Sequence, residues 1–240
     1  MRADVAFTPA QVDPQLLPSQ VAVVIDVIRA TSTMVEALVN GAKAIHPTSS
    51  IDDAIKLRAS LGRDESLLCG ERKGVAIEGF DLGNSPFEYD AETVGGKRLV
   101  MTTTNGTMAL AAASAAERVY VCSLLNLTAV AEAVSEVDHL LVVCAGKEER
   151  FSLDDAVIAG HVIRQIEAHT GSLPELGDAA RAAYVLAERY DPDEAFFRLT
   201  AAGSSLEEVG LGRDLASVAR KDEYTLVPEL RDRTVHGSSS

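Results

Sequence analysis

The hydrophobic positions along the chain change period at regular intervals. Val21 to Val27 (VAVVIDV) is a short, apolar, β-branched run that predicts a strand, and Thr33 to Asn40, stopped by Gly41, predicts a helix. The pair then recurs: strand at Lys43 to Thr48, helix at Ile51 to Leu61 closed by Gly62, and a short strand at Leu67 to Gly70. From about residue 71 to residue 96 the rhythm lapses into glycine, proline, acid and amide residues, over a stretch too long for an ordinary connection and typical of functional loops. It resumes with strands at Arg98 to Thr103, Arg118 to Cys122 and His139 to Cys144, separated by helices at Gly106 to Ala116 and Leu127 to Val134. Ser152 and Asp155 form a capping-box-like pair, with Asp for the usual Glu, opening a helix with Val157, Ile158, Val162 and Ile166 on its apolar face. Alternation of this kind predicts an α/β fold of three layers, α/β/α, around a mainly parallel sheet.

Beyond Gly171 the pattern is helical, at Ala179 to Tyr190, Asp193 to Ala201 and around Leu206 and Leu215, with a β-like piece at Tyr224 to Val227. No Pro/Gly/Ser linker sets this part off. The expectation is therefore one α/β domain over 1–240, with a sheet-bearing core at 1–170, a mainly helical extension at 171–230, and Gly237 to Ser240 as a frayed tail.

Composition narrows the function. Of 240 residues, 36 are Asp or Glu against 22 Lys or Arg, a formal charge of −14, and aromatics are only 5% with no Trp. There is neither a basic footprint nor a stacking platform, so no nucleic-acid partner is expected. Apolar runs such as Leu140 to Gly146 fall far short of a membrane span, and Asp4, Asp13 and two prolines interrupt the stretch from Met1 to Leu17 where a signal peptide would be apolar. No membrane association and a cytoplasmic location are expected. Cys69, Cys122 and Cys144 lie far apart with no C-x-x-C pair, which fits free thiols in a reducing compartment. The five histidines match no metal-ligand spacing, and the G-x-G-x-x-G, Walker and G-x-S-x-G motifs are absent from the sequence. An acidic protein binds an anion only where guanidinium groups, backbone N–H groups or a metal outweigh its global field.

In open parallel sheets, ligands sit beyond the carboxyl ends of the strands. Four such junctions carry unusual polar residues. Asp26 ends an apolar strand, where a carboxylate is costly unless a metal, a cation or donors surround it. With Arg29, Thr31 and Ser32 it would hold a divalent metal and a phosphate oxygen; alternatively Asp26 pairs with Arg29 and a hydroxyl caps the helix. The loop from Gly70 to Pro86 offers Glu71, Arg72, Lys73, Glu78, Asp81, Asn84 and Ser85, a mixture suited to a metal-assisted anion site or to a solvated surface. Thr102 to Thr107 (TTTNGT) reads as a phosphate cradle, with Gly106 admitting the anion to the backbone N–H groups, or as a strand end and turn with Thr107 as cap. At the fourth junction Asp154 and Asp155 begin a helix, where the dipole favours acids in any case. A rival pattern, C-x5-R from Cys144 to Arg150, outlines a cysteine-phosphatase loop, but Glu148 and Glu149 would repel a dianion there.

Taken together, DVIRATST from Asp26, GER from Gly70, GFDLGNSP from Gly79, TTTNGT from Thr102, and CAG followed by FSLDD between Cys144 and Asp155 make the chain resemble the 2-phosphosulfolactate phosphatase family. The resemblance runs in order over roughly Val21 to Gly160. It implies an α/β fold and Mg2+-dependent hydrolysis of (2R)-2-phospho-3-sulfolactate to 3-sulfolactate and phosphate, a reaction associated with coenzyme M biosynthesis. Phosphatase action on another small phosphorylated acid, or non-catalytic binding of a small sulfonate or phosphate, are the alternatives. Residue 28 is Ile, which departs from the D-x-D pattern of haloacid dehalogenase phosphatases, so that analogy licenses no aspartyl-phosphate.

A sufficient mechanism needs positive charge on the phosphate, donors for its oxygens and an in-line nucleophile. The expected roles are Asp26 and Glu71 as metal-facing carboxylates with Asp81 as a third, and Arg29 and Arg72 as clamps on phosphate or sulfonate. Thr31, Ser32, Asn84, Ser85, Thr104, Asn105, Gly106 and Thr107 would line the substrate. Asp155, or Asp154 beside it, would orient the attacking water, with Asp26 as nucleophile the alternative. The alanine-rich Gly106 to Ala116 helix would pack on the sheet or against a second subunit in a homodimer.

Overall fold

The structure, a computed structural model, describes residues 1–238. Among the described residues eleven strands form one sheet: β1 (Arg2–Ala6), β2 (Val21–Ile25), β3 (Ala44–Pro47), β4 (Ser66–Arg72), β5 (Val75–Ala76), β6 (Arg98–Thr102), β7 (Arg118–Cys122), β8 (His139–Cys144), β9 (Glu175–Leu176), β10 (Val227–Arg231) and β11 (Thr234–Ser238). Their order is β5-β4-β6-β3-β11-β10-β7-β2-β8-β1-β9. Ten helices flank it: α1 (Ala30–Val39), α2 (Ile51–Leu61), α3 (Ala91–Val94), α4 (Gly106–Ala113), α5 (Leu127–Ala133), α6 (Leu153–Thr170), α7 (Asp178–Arg189), α8 (Glu194–Leu199), α9 (Ala201–Glu208) and α10 (Asp214–Val218). The expected α/β class holds. Among the described residues no helix is long and apolar enough to cross a membrane.

All five residues of β2 are buried because helices cover both faces of its half of the sheet. Val23 and Ile25 pack with Val130 of α5 and with Val157 and Ile158 of α6, whereas Ala22 and Val24 pack with Met34 of α1 and Leu110 of α4. Parallel pairing sets Ile25 beside Cys122 and Cys144, and Gly70 beside Thr102, so that the residues following these strands emerge at the same level within each half. A flat sheet would hold β2 and β6 about 24 Å apart across the intervening strands. Leu99 and Met101 of β6 nevertheless belong to one core with Val24 of β2, completed by Met34 of α1 and Leu110 of α4, which span the gap between the two halves.

The main departure from the sequence reading lies beyond residue 170. Strands β10 and β11 form an antiparallel hairpin lodged in the middle of the sheet, joining the parallel set β4-β6-β3 to the parallel set β7-β2-β8-β1. The sheet is therefore not confined to 1–170, and Gly237 and Ser238 belong to a strand rather than a frayed tail; residues 239–240 lie outside the described residues. Strand β1 was also hidden, since Arg2 and Asp4 interrupt its apolar run. Ala3 and Val5 alone carry its inward face.

Glu229 fastens the hairpin. Its carboxylate accepts from Arg118 Nε and Nη2 of β7, both at 3.0 Å, and also pairs with Arg231. The Arg118 hydrogen bonds, reinforced by Arg231, hold it at about 2, below its ordinary 4.5, against the opposing effect of burial. A depressed carboxyl contributes stability above its unfolded value, lost as pH falls toward the folded one. Glu229→Gln should cost roughly 2 kcal/mol at neutral pH, allowing for the half-exposed arginines. In a melting series from pH 7 to pH 2 the gap to wild type should close as the pH drops; a gap constant with pH would assign the effect to packing instead.

Candidate active site

One cleft of about 320 Å³ gathers most of the sequence-predicted residues. Asp26 and Arg29 enter it from the β2–α1 junction, Glu71 from the end of β4, and Asn84 from the long loop that follows β5. Thr104 and Asn105 come from the β6–α4 junction, and Asp154 and Asp155 from the start of α6. Segments far apart in the chain thus converge at one rim, where α1 and α4 both begin.

Local chemistry fixes each of these loops. Thr31 Oγ1 donates to the Asp26 carbonyl at 2.9 Å and Ser32 Oγ to the Val27 carbonyl at 2.9 Å. Both hydroxyls are buried beneath the cleft, tying the polar run of α1 to its own strand end rather than facing a ligand. Thr107 likewise donates from its N–H to Thr103 Oγ1 and from its hydroxyl to the Thr103 carbonyl, each at 3.1 Å, and accepts from the Thr103 N–H at 3.4 Å. Gly106 is required by crowding: a Cβ there would lie 2.6 Å from Ala30 Cβ and 2.7 Å from Asp26 Oδ2. Its bare Cα allows α1, α4 and the Asp26 carboxylate to meet. The N–H groups of Asn105 and Gly106 have no acceptor among the described residues, whereas those of Thr104 and Thr107 do.

Two carboxylates act as braces. Glu71 accepts from the N–H of Gly74 and from the N–H of Thr104, each at 2.7 Å, bridging the β4 and β6 ends. Asp155 accepts from Val27 N and Gly146 N, each at 3.0 Å, bridging β2 and the loop after β8. Ser152 caps α6 by position, but its hydroxyl donates to Asp154 and accepts nothing from the helix N–H groups, so the expected Ser152–Asp155 capping box does not form. Asp26 keeps only a weak contact from Ala30 N, at 3.4 Å.

Crowding of buried acids raises their proton affinity. Burial, then the nearby Glu71, pushes Asp26 up to about 7, with Asp154 adding to the effect and the Ala30 N–H opposing it. Burial also raises Asp154, against the Ser152 hydroxyl and Lys147. Asp155 is raised further by burial and by Asp154 and Asp26. Such a cluster is stable in its charged form only with compensating positive charge.

Four expectations are corrected by position. Arg29 is on the cleft wall, yet its guanidinium is committed to Asp214 at 2.6 Å and to the Gly74 carbonyl at 2.7 Å, so it is a buried tether rather than a free clamp. Arg72 lies outside the cleft lining, donating to the Glu71 carbonyl and to Thr102 Oγ1. Asp81 faces another part of the surface, where it accepts from Leu68 N and pairs with Arg58 at 3.0 Å. Ser85 is also withdrawn, donating to Asp214 at 2.8 Å. The Cys144 reading fails on environment: the thiol is fully buried, and burial followed by Asp155 and Asp154 raises it well above its ordinary value, so no thiolate is available.

Sequence reasoning named Lys73 in the loop from Gly70 to Pro86 but gave neither it nor Lys147 a role, and it missed the roof. Lys73 and Lys147 line the cleft, and α9, inside the supposed helical extension, supplies Ala202, Ser205 and Leu206 to its wall. Lys147 was visible within the run from Cys144 to Arg150, but the α9 residues carried only a packing pattern.

Among the described residues no group of three or more His, Cys, Asp or Glu side chains is close enough to hold a metal unaided. A magnesium ion needs no such cage, since it keeps several waters and takes one or two carboxylates plus substrate phosphate. Asp26 and Glu71 would provide that pair, and the buried Asn84 Oδ1, which has no hydrogen-bond partner, lines the same cleft as a neutral oxygen. The all-oxygen donor set fits a hard divalent cation.

A family model described as 2-phosphosulpholactate phosphatase matches residues 6–233. A protein of Caldanaerobacter subterraneus subsp. tengcongensis is 40% identical over 220 residues, covering 90% of each chain. One from Clostridium acetobutylicum is 36% identical over 230 residues, covering 95% of this chain and 97% of its own. One from Thermotoga petrophila is 40% identical over 214 residues, covering 87% and 88%. Each of the three is named a probable 2-phosphosulfolactate phosphatase.

Proposed function

Because the chain belongs to the 2-phosphosulpholactate phosphatase family, we propose that it is a Mg2+-dependent phosphoric monoester hydrolase acting on (2R)-2-phospho-3-sulfolactate. The observation that carries this reading is the convergence of Asp26, Glu71, Asp154 and Asp155 in one cleft beside the N-terminus of α4. Four acids there would repel a phosphate dianion unless a cation accompanies it.

Asp26 and Glu71 would hold the metal, with Asn84 beside them. When bound, the divalent ion supplies positive charge to the phosphoryl oxygens and offsets the acids. The open N–H groups of Asn105 and Gly106 bind a phosphoryl oxygen, aided by the helix dipole. Asp155, with both oxygens occupied by backbone donors, orients α6 and holds Asp154 in place. Asp154, its proton affinity raised by burial, takes a proton from the attacking water. The water oxygen bonds to phosphorus as the ester P–O bond breaks, and the departing alkoxide acquires a proton to give 3-sulfolactate. Asp26 as a direct nucleophile is less favoured, since the metal would occupy its oxygens.

The test is phosphate release from a panel of small phosphorylated acids, with Mg2+ and with EDTA. Turnover of phosphosulfolactate that stops on chelation and returns with Mg2+ is expected. Turnover that survives EDTA removes the metal, and tight binding without release across the panel would make the protein a binding module.

A further inference from the structure

The cleft's positive charge is unevenly committed. Three cationic side chains line it, and Arg29 is neutralised by Asp214. Lys73 and Lys147 form no ion pair among the described residues. Lys147 is the more firmly aimed of the two. Its N–H donates to the Arg150 carbonyl at 2.9 Å, and the next residue's N–H donates to Asn105 Oδ1 at 3.1 Å. Gly146, Glu148 and Glu149 all have left-handed backbones, at φ 68°, 51° and 62°, a conformation that non-glycine residues hold only when surroundings enforce it. The bend leaves Lys147 half-buried and directed at α9, where its Nζ donates to Ser205 Oγ at 2.7 Å.

Ser205 passes its own hydroxyl proton to the Ala201 carbonyl at 2.9 Å, so its oxygen serves only as an acceptor. One of the three ammonium protons is thereby fixed and two remain for a ligand. The metal-facing pair, Asp26 and Glu71, is braced from β2, β4 and β6; Lys147 and Ser205 belong to the loop after β8 and to α9, a different wall of the same cleft. A lone phosphate at the metal end would leave this ammonium with no ion-pair partner, only the longer-range charge of Asp154.

We infer that Lys147, held by Ser205 as a positioning residue, binds a second, non-reacting anion of the substrate, a sulfonate carried on the carbon next to the phosphorylated one. This rests on the phosphatase reading above and assigns a specificity-determining residue within that site. It also gives α9 a part in choosing the substrate.

Two substrates that share a skeleton isolate the sulfonate: 2-phospho-3-sulfolactate and 2-phospholactate, in which a methyl group replaces the sulfomethyl group. Wild-type protein should prefer the first, and Lys147→Gln should reduce the ratio of the two kcat/KM values by about tenfold or more, mainly through KM. Lys147→Arg should restore part of the ratio, and Ser205→Ala should lower it in the same direction by a smaller factor. Lys73→Gln is the comparator. An equal loss on both substrates in Lys147→Gln would assign the lysine to the phosphoryl group and overturn the inference, as would a ratio that falls only in Lys73→Gln. Failure of wild-type protein to release phosphate from either compound would instead strike the phosphatase reading.

Discussion

Asp26→Asn is expected to lower kcat by at least about 10³-fold while the protein stays folded. The amide matches the carboxylate in shape, so the contact with Gly106 and Ala30 is kept, but it offers the metal no charge. Stability should move the other way from activity. The Asp26 carboxyl is raised to about 7 by burial and by Glu71. For such a group the stabilising contribution of the neutral form is complete below its unfolded value near 3.8 and fades as pH rises toward 7. Metal-free wild type should therefore lose melting temperature between about pH 4 and pH 7 by a component that Asp26→Asn lacks, and the variant should melt higher at pH 8. Near-normal turnover would remove Asp26 from the reaction, and an identical pH dependence of melting would show that the cluster does not strain the fold.

Asp214→Ala should destabilise the protein by about 3–5 kcal/mol, a fall of roughly 10 °C in melting temperature for a chain of this length. Asp214 is fully buried and takes hydrogen bonds from Arg29 at 2.6 Å and Ser85 at 2.8 Å. Its removal strands a guanidinium that is itself only 3% exposed, leaving the Gly74 carbonyl as its hydrogen-bond partner. Asp214→Asn, which can still accept from Ser85, should cost less. Activity should fall with stability, since Arg29 lies three residues after Asp26 and steadies the same turn. Melting within 2 °C of wild type would mean that solvent reaches Arg29 freely and that the pair carries little load.

These two residues illustrate what a sequence shows and what it hides. Asp26 was legible because a carboxylate placed directly after an apolar strand is locally anomalous, and Glu71, Asn84, Asp154 and Asp155 because they fall in polar stretches at the ends of strands. Arg29 was recognised as part of the site but given the wrong partner. Its counter-ion stands 185 positions later on a five-residue helix, and nothing local to either residue announces the pair. Asp81 was misplaced for the converse reason, since a glycine-rich loop does not reveal which of its acids turn inward. The periods of α2, β7 and β8 are regular enough that their bounds were read without error. The hairpin of β10 and β11 was not, because Pro228, Glu229 and a run of charges at 231–233 mask its alternation.

That hairpin also governs when a newly made chain becomes whole. Until residues 227–238 leave the ribosome, β3 and β7 each present an unpaired ladder edge, and neither half can close on the other. A nascent chain stalled short of that point carries two open templates for pairing with neighbours, so slow synthesis late in the message would favour aggregation over assembly.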